Sequence, residues 1–155
     1  MAQGVIPEDA GGPKDRTWSK DIADCHIYLR DRWPRLQEMF TRETQNTLIL
    51  TCTWRSVAEQ QRLYAHGRTA PGKIVTWVDG IKKVSEHNKY PARAMDVAVV
   101  ELIHNGDGVS SAKISWDWHL YVPLLAICQS LELESGGAWE KKDWPHVQMP
   151  AQIWP

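Results

Sequence analysis

Ala92-Arg93-Ala94-Met95-Asp96-Val97-Ala98-Val99-Val100 reads as a buried β-strand carrying one carboxylate in its middle. Successive side chains of a strand point to opposite faces. Ala94, Asp96, Ala98 and Val100 therefore share one face, and Met95, Val97 and Val99 share the other. An aspartate in such a strand is costly unless something compensates its charge. Its neighbours on that face, Ala94 and Ala98, are small and leave space for a metal ion above the strand. A salt bridge to Arg93 or Arg55 is the ordinary alternative, and Asp96 alone favours it.

Two further segments change that balance. Upstream, Ser85-Glu86-His87 is joined to the strand by a loop containing Pro91, which can bring His87 back beside Asp96. Downstream lies Asp143-Trp144-Pro145-His146. Pro145 cannot donate to a ladder and marks an edge, bulge or turn. A bend there would aim Asp143 and His146 at one point, although residues three apart on a plain strand face opposite sides. Histidine and aspartate are both good zinc ligands. Amide hydrolysis also needs a nearby carboxylate that takes a proton from the attacking water and passes it to the leaving amine. Arg55 lies between a strand and a helix start, where a guanidinium can hold a carbonyl oxygen that gains charge, or a substrate carboxylate. A surface or structural role for Arg55 is equally compatible with its position.

Around these motifs the pattern is mixed. Ile22, Cys25, Leu29, Trp33, Leu36 and Phe40 recur at helical spacing, with Ser19 as N-cap and Pro34 predicting a kink or two successive helices. Thr47 to Thr53 is a β-branched, apolar strand. Ser56 and Glu59 form a capping box for a helix reaching about His66, with Gly67 as its stop. Thr76 to Val78 is expected to pair with Ile81 to Val84 across the Asp79-Gly80 turn. His104 to Ser111 reads as a Gly-rich loop, and Trp116 to Ser130 as a helix with Pro123 inside it. Short strands are expected at Leu131 to Leu133 and Val147 to Met149. Residues 1–16 read as an N-terminal arm, and 17–155 as a single α+β domain with helices packed on a small antiparallel sheet.

The 155 residues suit one core, and 43% hydrophobic with 24% charged residues is an ordinary globular balance. A net charge of −1 gives no general pull on nucleic acid or anionic membrane. No apolar run reaches the length of a membrane span, so stable membrane insertion is not expected. The N-terminus lacks the pattern of a secretory signal, which predicts synthesis in the cytoplasm. Cys25, Cys52 and Cys128 are odd in number and lack a Cys-x-x-Cys pair, so buried reduced thiols are expected, with a cysteine nucleophile as the sharper alternative. Nine tryptophans are more than so small a core buries easily, so some should reach the surface. Trp139 and Trp144 flank the third motif as candidate cleft walls, with core packing at least as good a reading. His26, His66 and His104 read as surface or packing residues, and His119 is the first substitute ligand.

Taken together, Ser85-x-His87, Ala94-x-Asp96 and Asp143-x-Pro145-His146 resemble the zinc peptidases of the D-alanyl-D-alanine carboxypeptidase and hedgehog-type fold. The stretch from Trp54 to Val84, opening WRSVAEQQRLYAHGRTAPGKIVT, resembles the L-alanyl-D-glutamate peptidases of phage endolysins and wall-remodelling enzymes. The resemblance covers roughly residues 47–149. It implies one Zn2+ per chain held by His87, Asp96 and His146, with Asp143 as acid/base. Arg55 would bind substrate or steady the transition state. Ser85 would contact substrate or support a ligand. The substrate implied is the peptidoglycan stem peptide, cut at the L-alanyl-D-glutamate bond by a monomer that meets the wall once the host membrane is permeabilised. A D-Ala-D-Ala carboxypeptidase and an inactive zinc-stabilised wall-binding domain are the rival readings. One departure is the spacing from His87 to Asp96, which is nine residues where many relatives have seven with a glycine between.

Overall fold

The computed structural model describes residues 12–151. The expected N-terminal arm lies outside the described residues up to residue 11, as does the end of the expected domain from residue 152. The elements in chain order are α1 (Ile27–Thr44), β1 (Thr47–Cys52), α2 (Val57–Ala65), β2 (Ala94–His104), β3 (Val109–Ser115), α3 (Leu124–Ser130), β4 (Glu134–Ser135) and β5 (His146–Gln148). Short 3-10 turns occupy Ile22–Asp24, Glu86–Asn88, Trp118–Tyr121 and Gly136–Ala138. The architecture is α+β, with an antiparallel sheet and three helices. Among the described residues no helix is long and apolar enough to cross a membrane.

β2 is the spine of the sheet. It pairs β1 along one side; on the other it pairs β5 near its start and β3 toward its end. Between β5 and β3 the ladder would be broken, and two groups fill the gap. The Val97 amide donates to the Pro145 carbonyl at 2.9 Å, and the Val99 amide donates to the Tyr121 hydroxyl at 3.1 Å. That hydroxyl then donates to the Ser115 carbonyl at 2.7 Å, closing the accounts of a buried backbone.

The two faces of β2 divide as its alternation requires. Met95, Val97 and Val99 enter the core with Leu29, Leu36 and Phe40 of α1 and Leu124, Ile127 and Cys128 of α3. Each large apolar side chain buried this way contributes roughly 1.5–3 kcal/mol. Ala94 and Ala98 lie on the opposite face, and Asp96 between them is only partly buried. All three cysteines are free and buried, as the sequence indicates.

Several elements depart from expectation. The first helix starts at Ile27 with His26 as cap; the Ser19 hydroxyl instead accepts from the Asp21 amide and donates to the Asp24 carboxylate. Helix α1 runs through Pro34 as one element, giving up only the amide bond that proline lacks. Ser56 caps α2 as expected, but the Glu59 carboxylate pairs with Arg62 rather than reaching back. The hairpin around Asp79-Gly80 does not form. The Asp79 side chain accepts from the amides of Ile81 and Lys83, which makes a side-chain turn in place of a ladder. The segment Trp116 to Ser130 is broken at Pro123 into a 3-10 turn and α3. The strand expected at Leu131 to Leu133 forms instead at Glu134–Ser135, after Glu132 adopts a φ of 56°.

The loop from Asn88 to Arg93 is tied down. It contains a cis Tyr90-Pro91 bond. Ala92 exchanges backbone hydrogen bonds with Asp24 and His26. The Tyr90 hydroxyl donates to Asp24, which also accepts from Arg16 and Ser19. The segment between His87 and Asp96 is thus anchored on the turn before α1.

Candidate metal centre

The ladder itself assembles the site. Directly paired residues on antiparallel strands point to the same face. Asp96 pairs Cys52 of β1 on one side and His146 of β5 on the other. A register shift between Leu50 and Cys52 is what brings Cys52 opposite Asp96. The 3-10 turn at Glu86–Asn88 adds His87. Ser85 starts that turn, its hydroxyl accepting from the His87 amide at 3.2 Å, while the Asn88 side chain accepts from the Ser85 amide.

His87 Nε2 and His146 Nδ1 each lie 3.2 Å from the same oxygen, Asp96 Oδ1. The far nitrogen of each ring has another partner. His87 Nδ1 is 2.7 Å from the Thr53 carbonyl, which can only accept, so the proton sits there. His146 Nε2 is 2.8 Å from Gln148 Oε1, an acceptor as well. Both rings thus turn a lone pair toward a carboxylate. His87 Nε2 is fully buried and makes no hydrogen bond. Three electron-rich atoms facing each other repel unless a cation joins them. A proton can serve: burial works against charge on His87, yet the adjacent Asp96 carboxylate holds its pKa above the ordinary imidazole value. Asp96, which burial would raise, is held well below the usual carboxylate range by His87 and His146. A divalent ion meets the same demand, and far nitrogens bonded to carbonyl or amide oxygens are how metal-binding histidines are oriented.

Among the described residues, Cys52, His87 and Asp96 form a group able to hold a metal ion, their ligand atoms lying within 4.8 Å of one another. Nothing in the sequence marks Cys52 as a ligand, because local pattern does not reveal the register shift of β1. Its sulfur lies 3.9 Å from His87 Nδ1, the nitrogen already bonded to Thr53, and accepts from Arg55 Nη2 at 3.4 Å.

Asp143 and His146 are brought together by a turn in which the His146 amide donates to the Asp143 carbonyl at 3.1 Å. Asp143 Oδ2 stands 4.0 Å from His146 Nδ1. Partial burial, helped by the charge of Asp96, raises its pKa above the ordinary carboxylate value. Arg55 is fixed by Gln60 Oε1 at 2.9 Å and approaches Asp96 Oδ2 at 3.5 Å, so the salt-bridge alternative for these residues is also present. Gln60 is locked in turn by the Val78 carbonyl and the Thr76 hydroxyl.

These groups line a pocket of about 670 Å³ that includes Arg55, Ser85, His87, Asp96, Asp143 and His146. Trp139 lines it too, its ring 4.9 Å from that of His146 and its indole N–H bonded to Glu134. Trp144 lies outside the lining, packed on the core and stacked on Trp118. His119 stays at an exposed turn with Asp117 and does not reach the cluster. Trp116, Lys83 and Gln148 also line the pocket; no motif in the sequence flags them.

No protein-family model matches the chain. Over 108 residues it is 32% identical to the peptidoglycan L-alanyl-D-glutamate endopeptidase CwlK of Bacillus subtilis, a match over 66% of this chain. The chain spans 60% of the length of that relative. The crystal structure of the L-Ala D-Glu endopeptidase ChiX of Serratia marcescens superposes with a TM-score of 0.55 at 21% identity, covering 86% of each chain, so the fold is shared with that enzyme.

Proposed function

We propose that this protein is a zinc-dependent peptidoglycan endopeptidase that cuts the stem peptide between L-alanine and D-glutamate. In this reading His87, Asp96 and His146 hold the metal and Asp143 is the acid/base. The observation that carries it is the convergence of two imidazole lone pairs on Asp96 Oδ1, each ring with its other nitrogen engaged. Cys52 is left out of the ligand set because it faces the wrong nitrogen of His87. Homology to the endopeptidases supplies the substrate class.

Zinc in such a site polarises a carbonyl and makes water a nucleophile near neutral pH. The chain's own residues do the rest. Asp143, partly open to the pocket and raised in pKa, receives the proton of the attacking water and delivers it to the departing amine. Arg55, held by Gln60 and partly buried, presents a fixed positive charge for the developing oxyanion or a substrate carboxylate. Ser85 acts as ligand support, since its hydroxyl fixes the turn that carries His87. Trp139 packs its ring against that of His146 in the pocket wall, where substrate would meet it. A lytic role on a host wall, implied by the resemblance to phage endolysins, belongs to the same proposal.

Digestion of purified peptidoglycan by the zinc-loaded protein tests the reading. New D-glutamate amino termini are expected. Release of free D-alanine would assign it to the carboxypeptidases, and binding without any new termini would assign it to the inactive wall-binding domains.

A further inference from the structure

The substrate class places a sugar close to the cut. L-alanine is the first residue of the stem and is amide-linked to the lactyl group of muramic acid. At about 3.3–3.6 Å per extended unit, the alanyl and lactyl units put the sugar ring roughly 7–10 Å from the scissile carbonyl. A pocket that accepts this bond must therefore have a saccharide at its rim.

Trp116 stands on that rim. It lines the pocket together with Asp96, Asp143 and His146, yet is 60% exposed, the most of any large hydrophobic residue described. Its inner face lies parallel to the Tyr121 ring, with centroids 6.5 Å apart and planes 7° from parallel. Tyr121 is buried, and its hydroxyl is pinned between Val99 and Ser115 in the gap of the ladder. The indole is thus held flat on a rigid base. Trp118 and Trp77, also exposed, differ. Trp118 is stacked with both His119 and Trp144. Trp77 carries the cations of Arg68 and Lys141. Among the described residues, no ring or cation covers the outer face of Trp116.

A pyranose has a flat face of C–H groups and a polar edge. An exposed indole face matches the first, while the exposed chain beside it at Asp117 leaves water and polar groups for the second. We propose that Trp116 is a saccharide platform, stacking the N-acetylmuramyl ring that bears the scissile stem peptide. This rests on the endopeptidase reading for its choice of ligand, and adds a glycan-binding subsite to the catalytic pocket.

The test is calorimetric titration of the zinc-loaded protein with a peptide-free disaccharide-repeat glycan oligomer, which needs no hydrolysis. The wild type is expected to bind. Trp116→Ala should weaken binding by at least about tenfold, whereas Trp116→Phe, which keeps a flat face, should stay within about threefold. Trp77→Ala, whose side chain does not line the pocket, should bind as wild type. No binding by the wild type, or equal binding by Trp116→Ala, overturns the platform. So does a loss in Trp116→Phe as large as in Trp116→Ala, since that means the fold and not the face was lost. The endopeptidase reading is judged separately on the termini released from whole wall, so a wall that is cut by a protein blind to the oligomer refutes only the platform.

Discussion

Changing Asp143 to Asn removes a charge and a proton acceptor while keeping size and shape. Among the described residues the Asp143 carboxylate makes no hydrogen bond, and its Oδ2 lies 4.0 Å from His146 Nδ1. The side chain is 52% exposed, so the change should cost about 0.5 kcal/mol of stability or less. The backbone bonds that shape the turn, from Asp143 to Gly136 and from His146 to Asp143, do not involve the side chain. Zinc should therefore remain bound at one per chain. The reaction, in contrast, loses its proton carrier. General acid–base catalysis contributes about 10²–10⁴ in rate, so kcat should fall by that factor, equivalent to about 3–5 kcal/mol in the barrier. The assay is amine release from purified wall, with zinc content measured on the same preparation by mass spectrometry. A variant within threefold of wild-type turnover, or one that loses zinc along with activity, refutes the role assigned to Asp143.

Gln148→Ala removes the acceptor that orients His146 Nε2, and zinc affinity should drop about 10–100-fold, read by competition with a chelating dye. A Cβ at Gly136 would collide with the Asp143 carbonyl and press on His146, so Gly136→Ala should cut kcat/KM on wall at least about tenfold by displacing both groups. Asp24 sits in a depressed state: burial works to raise its pKa, but hydrogen bonds from Ser19, Tyr90 and Arg16 outweigh it. Its stabilisation is thus complete above the ordinary value of 3.8 and fades as pH falls through the lower folded value. Asp24→Asn should destabilise the protein by about 1–3 kcal/mol at pH 7 and flatten the acid limb of a urea-stability profile, an effect absent if Asp24 is unimportant.

Much of this site was legible because strand alternation is a strict rule. Ala94, Asp96 and Ala98 could be set on one face, and the core residues Met95, Val97 and Val99 on the other, from spacing alone. The pairing of Asp143 with His146 was legible too, since Pro145 forces a departure from a regular strand. Cys52 was not, because its place beside Asp96 depends on a register shift within β1. β3 escaped notice since it is polar, with Ser111 and Lys113 exposed and no apolar alternation to mark it. The turn residues Asp79-Gly80 predict a hairpin, but the Asp79 carboxylate accepts from the amides of Ile81 and Lys83 and makes a side-chain turn instead. Ser19 reads as a helix cap, but its hydroxyl accepts from the Asp21 amide, before a short 3-10 turn and not before α1. The place of Cys52 comes from a contact made across the fold, which local pattern does not encode.

X-ray absorption at the zinc edge of the loaded protein separates the ligand sets most directly. With His87, Asp96 and His146 around the metal, the first shell should contain only nitrogen and oxygen at about 2.0–2.2 Å. A sulfur scatterer at about 2.3 Å would put Cys52 on the metal in place of His146 and contradict the site described for this protein.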